Sequence, residues 1–344
     1  MPRLQQLELI VSSGGSVNLL EGNQWELFIK KYLPFLLIFN FKFKLIPIDR
    51  ERYNEKDVLA QFHSPFWLNR NPPWYIGYNI NDLILYSIPH LVPRSIKHSL
   101  FSNSFDATTL PVEQYSVYYN RINELELDSS CKSSYRYPCI QRLILSIATI
   151  DEGAMDLSKV KYLCVRSPSW ALKRLFQIIK KTMIGLYHLK IEYHISMIQL
   201  CDVLPLEQIR ILDLPQFSGS LTVGNTDLSS LFPCVEYLTI GLSNIDQMVR
   251  IIDRLKHLSS ASFHIINGSD HTFIDSDSIC KWLREKSNRL ATNDNFTCRL
   301  NSQSGIQIHL WISNEYTQLK KVFYIIHTYE IIFSFYLVIK HHAN

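Results

Sequence analysis

The 344-residue sequence contains no HExxH, GxSxG, Walker A or GxGxxG motif. The usual signals for a zinc protease, a nucleophile elbow, a phosphate cradle and a dinucleotide fold are therefore missing. No CxxC occurs among the seven cysteines Cys131, Cys139, Cys164, Cys201, Cys234, Cys280 and Cys298. Their odd count and apolar surroundings suggest reduced thiols in a cytoplasmic or nuclear protein, not a disulfide framework. Thirty-five basic residues against 31 acidic ones give a formal charge of only +4, with no run of five Lys/Arg. That is not the concentrated basic face of a nucleic-acid binder. The opening lacks a basic region followed by a long apolar run, so no secretory leader is read.

What is present is apolar material: 47% hydrophobic and 19% charged residues, enough for a sizeable core and too apolar for general disorder. Length alone fits one large or two smaller domains, or a repeat array that grows in one dimension. The recurring unit is an apolar triplet spaced L-x-x-L-x-L. It begins at Leu4, Leu36, Ile80, Ile122, Ile140, Val160, Leu186, Ile209, Val235 and Leu258, the last weakened by Ala261. From Ile140 onward the steps are 20, 26, 23, 26 and 23 residues. This is the period of leucine-rich repeats, each a short strand followed by a helix or looser arc. The earlier steps are irregular, at 32, 44, 42 and 18 residues. The expected fold is thus α/β: a leucine-rich-repeat-like curved solenoid, with parallel strands on the concave face and helices or irregular arcs on the convex face. Residues 1–135 read as irregular amino-terminal repeats with long insertions, 136–314 as a more regular array, and 315–344 as a hydrophobic tail. The pattern places Leu143, Leu163, Leu189, Leu212 and Leu238 in register on successive parallel strands.

Helix signals fall between the strands. Asn23 with Glu26, and Asn244 with Gln247, have capping-box spacing before apolar stripes. Residues 169–184 form an amphipathic pattern, with Lys173, Arg174, Lys180 and Lys181 on a solvated face. A last helix is expected near 278–290. The stretch from Ser12 to Ser16 is small and lacks a phosphate-binding Lys, and reads as a turn. The tail segment 322–339 is rich in Phe, Tyr and Ile but contains His327 and Glu330. A charge near the middle of a single span is costly, so an amphipathic cap fits better, with a membrane tether as the alternative.

No catalytic, cofactor-binding or metal-ligating residue is assigned. Asp270, His271, Asp275 and Asp277 form the densest ligand cluster but lack EF-hand spacing, and read as a loop entering a helix. Candidate partner-binding residues are of two kinds. Trp67 and Trp74 flank a Pro-rich stretch and would either anchor a partner or plug an irregular core. Glu124, Glu126, Asp128, Arg142, Arg166, Lys190 and Glu192 flank the buried strand positions, so an acidic strip beside a basic one could select a partner by charge. Ordinary polar surface is the alternative.

The segments GNQWELFIKKYLP (22–34), FNFKF (39–43) and PFWLNRNPPWYIGYNINDLILYSIPH (65–90) resemble the repeat region of F-box proteins with degenerate leucine-rich repeats. YNRINELEL, FPCVEYLTIG and the final LWIS extend the resemblance over most of residues 1–314. It implies the substrate receptor of a cullin-type ubiquitin ligase. The F-box of such a receptor docks an adaptor, its repeats hold the protein substrate, and other subunits transfer ubiquitin. No F-box is visible here. The chain therefore reads as an amino-terminally truncated relative, for which adaptor binding requires the missing module and substrate binding does not. The partner implied is a protein, with no nucleic acid.

Overall fold

The computed structural model describes residues 4–15, 17–45, 54–79, 83–92, 94–98, 107–128, 137–200, 203–217, 221–223, 226–265, 275–291, 296–301 and 306–312. The chain divides into two compact units. The first holds the described residues up to 123 and 137–139, and the second those from 124–128 and 140–312.

In the first unit, β1 (Gln6–Gly15), α1 (Gly22–Tyr32) and β2 (Ile38–Leu45) make a parallel crossover. The stretch read as a turn at Ser12 instead continues β1 to Gly15, past a register shift after Val11. The short helices α2 (Glu55–Ala60) and α3 (Pro65–Leu68) follow, with Pro65 in the first turn of α3, where its missing N–H costs nothing. The repeat expected at Ile80 takes another form. The strands β3 (Tyr75–Asn79) and β4 (Ile84–Ile88) form an antiparallel pair, and the sheet order is β1-β2-β4-β3-β6, with β6 at Ala107–Thr108. The L-x-x-L-x-L spacing fixes which side chains share a face, but it does not fix strand direction. β5 (Ser95–His98) and α4 (Tyr115–Tyr119) complete the unit. Alternation along β2 sends Phe39, Phe41 and Phe43 into the core, where they meet Trp25, Phe62 and Trp67. α1 begins without the expected cap. Asn23 lies inside the helix, no side chain caps it, and Glu26 instead accepts from Lys30 and Ser64 at 2.6 Å each.

The second unit carries an open nine-stranded sheet. Six parallel strands are β7 (Glu124–Leu127), β8 (Arg142–Leu145), β9 (Tyr162–Val165), β10 (His188–Ile191), β11 (Ile211–Leu214) and β14 (Tyr237–Leu242). β15 (Ser260–Ile265) is parallel to β14, and the antiparallel strands β17 (Ile306–Ile312) and β16 (Phe296–Asn301) close the row. Leu143, Leu163, Leu189, Leu212 and Leu238 pair in continuous register across β8, β9, β10, β11 and β14, as the repeat spacing requires. All five are at most 2% exposed.

The connections carry α5 (Leu172–Thr182), α6 (Met197–Leu200), a two-strand ribbon of β12 (Thr222–Val223) and β13 (Thr226–Asp227), α7 (Leu228–Leu231), α8 (Asp246–Arg254), α9 (Ser276–Lys286) and α10 (Asn288–Ala291). α5 buries Leu172, Leu175, Phe176, Ile178 and Ile179, while Lys173, Arg174, Lys180 and Lys181 face solvent. Asn244 accepts from the Gln247 amide at 3.1 Å, and the Gln247 side chain reaches Ser243. The helix expected over 278–290 is two pieces, broken at Ser287, whose hydroxyl is held by Asp253 at 2.6 Å. Cys280 and Cys298 form a disulfide between α9 and β16, with Cα atoms 6.2 Å apart, correcting the expectation of thiols throughout. Their 18-residue separation on a helix and a strand leaves no motif in the sequence. Cys139, Cys164 and Cys234 are free.

Candidate protein-binding face

A strand puts alternate side chains on opposite sides of its sheet. In the second unit one side carries the buried leucines. Among the described residues no element covers the other, and parallel register aligns its side chains into rows that cross the strands. The first row runs Glu124, Arg142, Tyr162, His188, Ile211, Tyr237, Ser260, Trp311 and Thr297. The second runs Glu126, Ile144, Cys164, Lys190, Asp213, Thr239, Ser262, His309 and Arg299. Most of these residues are half-buried, as expected of side chains standing on a sheet without a covering layer.

Six of the seven charged residues singled out from the sequence meet here. Arg166 donates from Nη1 to Glu126 at 2.9 Å and from Nε to Glu192 at 2.8 Å. Lys190 lies 2.7 Å from the other Glu192 oxygen, and Arg142 lies 3.6 Å from Glu124. The hydrogen bond from Lys190, helped by Arg166 and opposed by desolvation, holds the Glu192 carboxyl below the usual range. The Glu192 hydrogen bond, with Glu126 adding to it, pushes the Arg166 guanidinium up. The charges are therefore not separate acidic and basic strips. They neutralise one another: Arg142 stands opposite Glu124 in the register, Lys190 meets Glu192 two residues along, and Arg166, just past β9, reaches Glu192 on one side and Glu126, two strands away, on the other. Exposed pairs of this kind contribute ~0–1 kcal/mol each to stability. Asp128 lies just beyond β7 and is half-buried.

The aromatic residues of the face do not follow from charge patterning. The Arg142 guanidinium sits 3.8 Å over the Tyr162 ring, and Tyr162 meets His188 edge to face at 4.5 Å. His188 Nε2 is 2.9 Å from Asp213 Oδ2. A His–Asp pair suggests acid–base chemistry, but a nucleophile is needed beside it. Tyr162 and Cys164, the register neighbours of His188 and Lys190 on β9, are both pushed up by burial. Their hydroxyl and thiol stay protonated near neutral pH, which leaves them poor nucleophiles and poor metal ligands. Sequence reading passed over Tyr162, His188, Ile211, Asp213 and Tyr237. They occupy the variable positions of the triplet pattern and show themselves only once the register is known.

Trp67 and Trp74 lie elsewhere, in the core of the first unit. Trp67 is fully buried and Trp74 is 5% exposed. Their rings pack 5.9 Å apart among Phe39, Phe62 and Phe66. Trp74 donates to the Leu37 carbonyl at 3.1 Å, and the Arg70 guanidinium lies 3.9 Å over its ring. So buried, the two indoles plug the core and offer no surface to a partner.

Asp275 caps α9 by accepting from the Ser278 amide at 2.8 Å, and Asp277 lies in the first turn. Asp270 and His271, and the tail 315–344, lie outside the described residues. Among the described residues no group of three His, Cys, Asp or Glu is placed to hold a metal ion, and no helix is long and apolar enough to cross a membrane. The chain matches no protein-family model, no curated protein and no solved structure.

Proposed function

We propose that this chain is a non-catalytic protein-interaction protein that holds a partner on the open face of its nine-stranded sheet. In this reading the second unit is a leucine-rich-repeat-like solenoid, comparable to the substrate-recognition part of an F-box receptor of a cullin-type ubiquitin ligase. One observation carries the reading. Nine strands present in-register rows of ion pairs, aromatic rings and hydroxyls on a face with no layer over it among the described residues. The leucine ladder and the 20- to 26-residue steps support the repeat architecture. Tyr and Arg, residue types that dominate binding energy at protein interfaces, stand on the face as Tyr162, Tyr237, Arg142 and Arg166. Engagement of a ligase adaptor depends on an F-box and is a separate question from partner binding.

The test is quantitative affinity capture of the full chain from cells. Tyr162→Glu/Tyr237→Glu on the open face is compared with Lys173→Glu/Lys180→Glu on the solvated side of α5. The expected result is loss of co-purifying proteins with the tyrosine variant and retention with the lysine variant. Retention with both would refute the open face as the binding surface. Recovery of a cullin-ligase adaptor with the unaltered chain would support the receptor reading, and its absence would leave a stand-alone binder.

A further inference from the structure

The open face changes character along its length. On β15, β17 and β16 it is a grid of nine side chains: Ser260, Trp311 and Thr297; Ser262, His309 and Arg299; His264, Gln307 and Asn301. None is a carboxylate. The parallel half carries Glu124, Glu126, Glu192 and Asp213 against Arg142, Arg166 and Lys190, four acids to three permanent cations. We infer that this grid docks an acidic protein segment bearing an apolar side chain beside its carboxylate.

Arg299 is exposed, and no acid is paired with it among the described residues. Trp311 is 40% exposed and stacks on His309 at 6.0 Å. Burial keeps the His309 and His264 imidazoles neutral, and His309 is held down further by His264 and Arg299. A neutral ring still donates one N–H. Gln307 already donates to Ser262 at 3.1 Å, which fixes that corner of the grid.

Spacing supports an extended segment. Arg299 lies opposite His309, two residues from Trp311, so Arg299 and Trp311 are diagonal neighbours ~7–8 Å apart. Alternate side chains of an extended peptide are about 6.7 Å apart. An acid at one position and an apolar residue two positions along would thus meet the guanidinium and the indole together. Arg would hold the carboxylate through two N–H donors, and the indole would cover the apolar neighbour. Charge complementarity also limits the occupant. A nucleic-acid strand crossing the face would run on to the parallel half, where Arg142, Arg166 and Lys190 are already held by carboxylates, whereas a short acidic segment need cover only the grid.

This inference rests on the open face being the binding surface. Its test uses fluorescence anisotropy of the full chain with labelled nonapeptides. One alternates Glu and Phe at every second position, one replaces Glu with Lys, one replaces Phe with Ser, and an oligouridine serves as the polyanion. Saturable binding of the Glu/Phe peptide is expected. Arg299→Glu should weaken it about tenfold or more and bring up the Lys/Phe peptide, and Trp311→Ala should weaken it by a similar factor. Both positions are exposed, so an unchanged thermal unfolding curve is expected for each variant. No binding of the Glu/Phe peptide, equal binding of the Lys/Phe peptide, no effect of Arg299→Glu, or oligouridine binding at least as tight would each overturn the inference. A negative peptide result with partner capture still lost in Tyr162→Glu/Tyr237→Glu would refute this patch alone. Capture indifferent to the tyrosines would refute the broader reading.

Discussion

Replacing Leu189 with Ala probes the ladder that defines the second unit. Leu189 is fully buried on β10, paired with Leu163 on one side and Leu212 on the other. Removing about three buried carbons forfeits ~2.4 kcal/mol of transfer free energy. Both neighbours are held by register, so the space cannot collapse freely, and a residual cavity adds ~1.5 kcal/mol. The sum is about 4 kcal/mol, which at an m-value of ~2 kcal/mol/M lowers the urea midpoint by ~2 M. The next residue, Lys190, points to the opposite side and makes a half-exposed pair with Glu192 at 2.7 Å. Lys190→Ala should cost no more than ~1 kcal/mol and move the midpoint by under ~0.5 M. Circular dichroism with urea titration at fixed protein concentration reads both. Equal shifts for the two variants, or a smaller shift for Leu189→Ala, would mean that β10 does not alternate as described.

Three further outcomes are expected. Gly77→Ala should destabilise the first unit by about 1–3 kcal/mol, because an added Cβ would stand 2.4 Å from the ring of fully buried Tyr86; thermal unfolding measures it. Burial pushes the Asp227 carboxyl up, but Ser229, the Ser230 amide and Arg254 outweigh it and hold it below the usual range. Its contribution is therefore present at neutral pH and lost as pH falls through its lowered value, and Asp227→Ala should cost ~1–2 kcal/mol at pH 7 with the difference vanishing in acid. His264 and His309 stay neutral in the fold where the unfolded chain would protonate, so stability should fall as pH drops below about 6.5. His309→Gln should flatten that slope in pH-dependent urea titrations.

The parts of the fold that repeat were readable in advance. Period-2 alternation within each triplet, joined to steps near 23 residues, forces Leu143, Leu163 and their successors onto one face of parallel strands. The first unit was less legible because its triplets occur at irregular steps. The spacing at Ile80 fits an antiparallel strand such as β4 as well as a repeat strand. On the face, the charged residues were visible as variable positions, but their mutual neutralisation was not. Arg166 reaches Glu126 across 40 residues of sequence and Glu192 across 26. In the grid only β15 belongs to the triplet pattern, through its weakened match at Leu258; β17 and β16 lie outside it, so only the pairing of β17 with β15 reveals the grid. Trp67 and Trp74 beside a Pro-rich stretch read more readily as core plugs than as surface anchors, and the phenylalanines of β2, which need large partners, hold them in the core.

The most direct measurement is site-specific photo-crosslinking in cells, with a photoreactive phenylalanine analogue placed singly at Tyr162, Tyr237 or Trp311 on the open face, or at Gln177 on the exposed side of α5. A working open face should give discrete protein adducts from the first three positions and none from Gln177. Adducts from Gln177 with none from the sheet would contradict the assignment and move the binding surface to the helices.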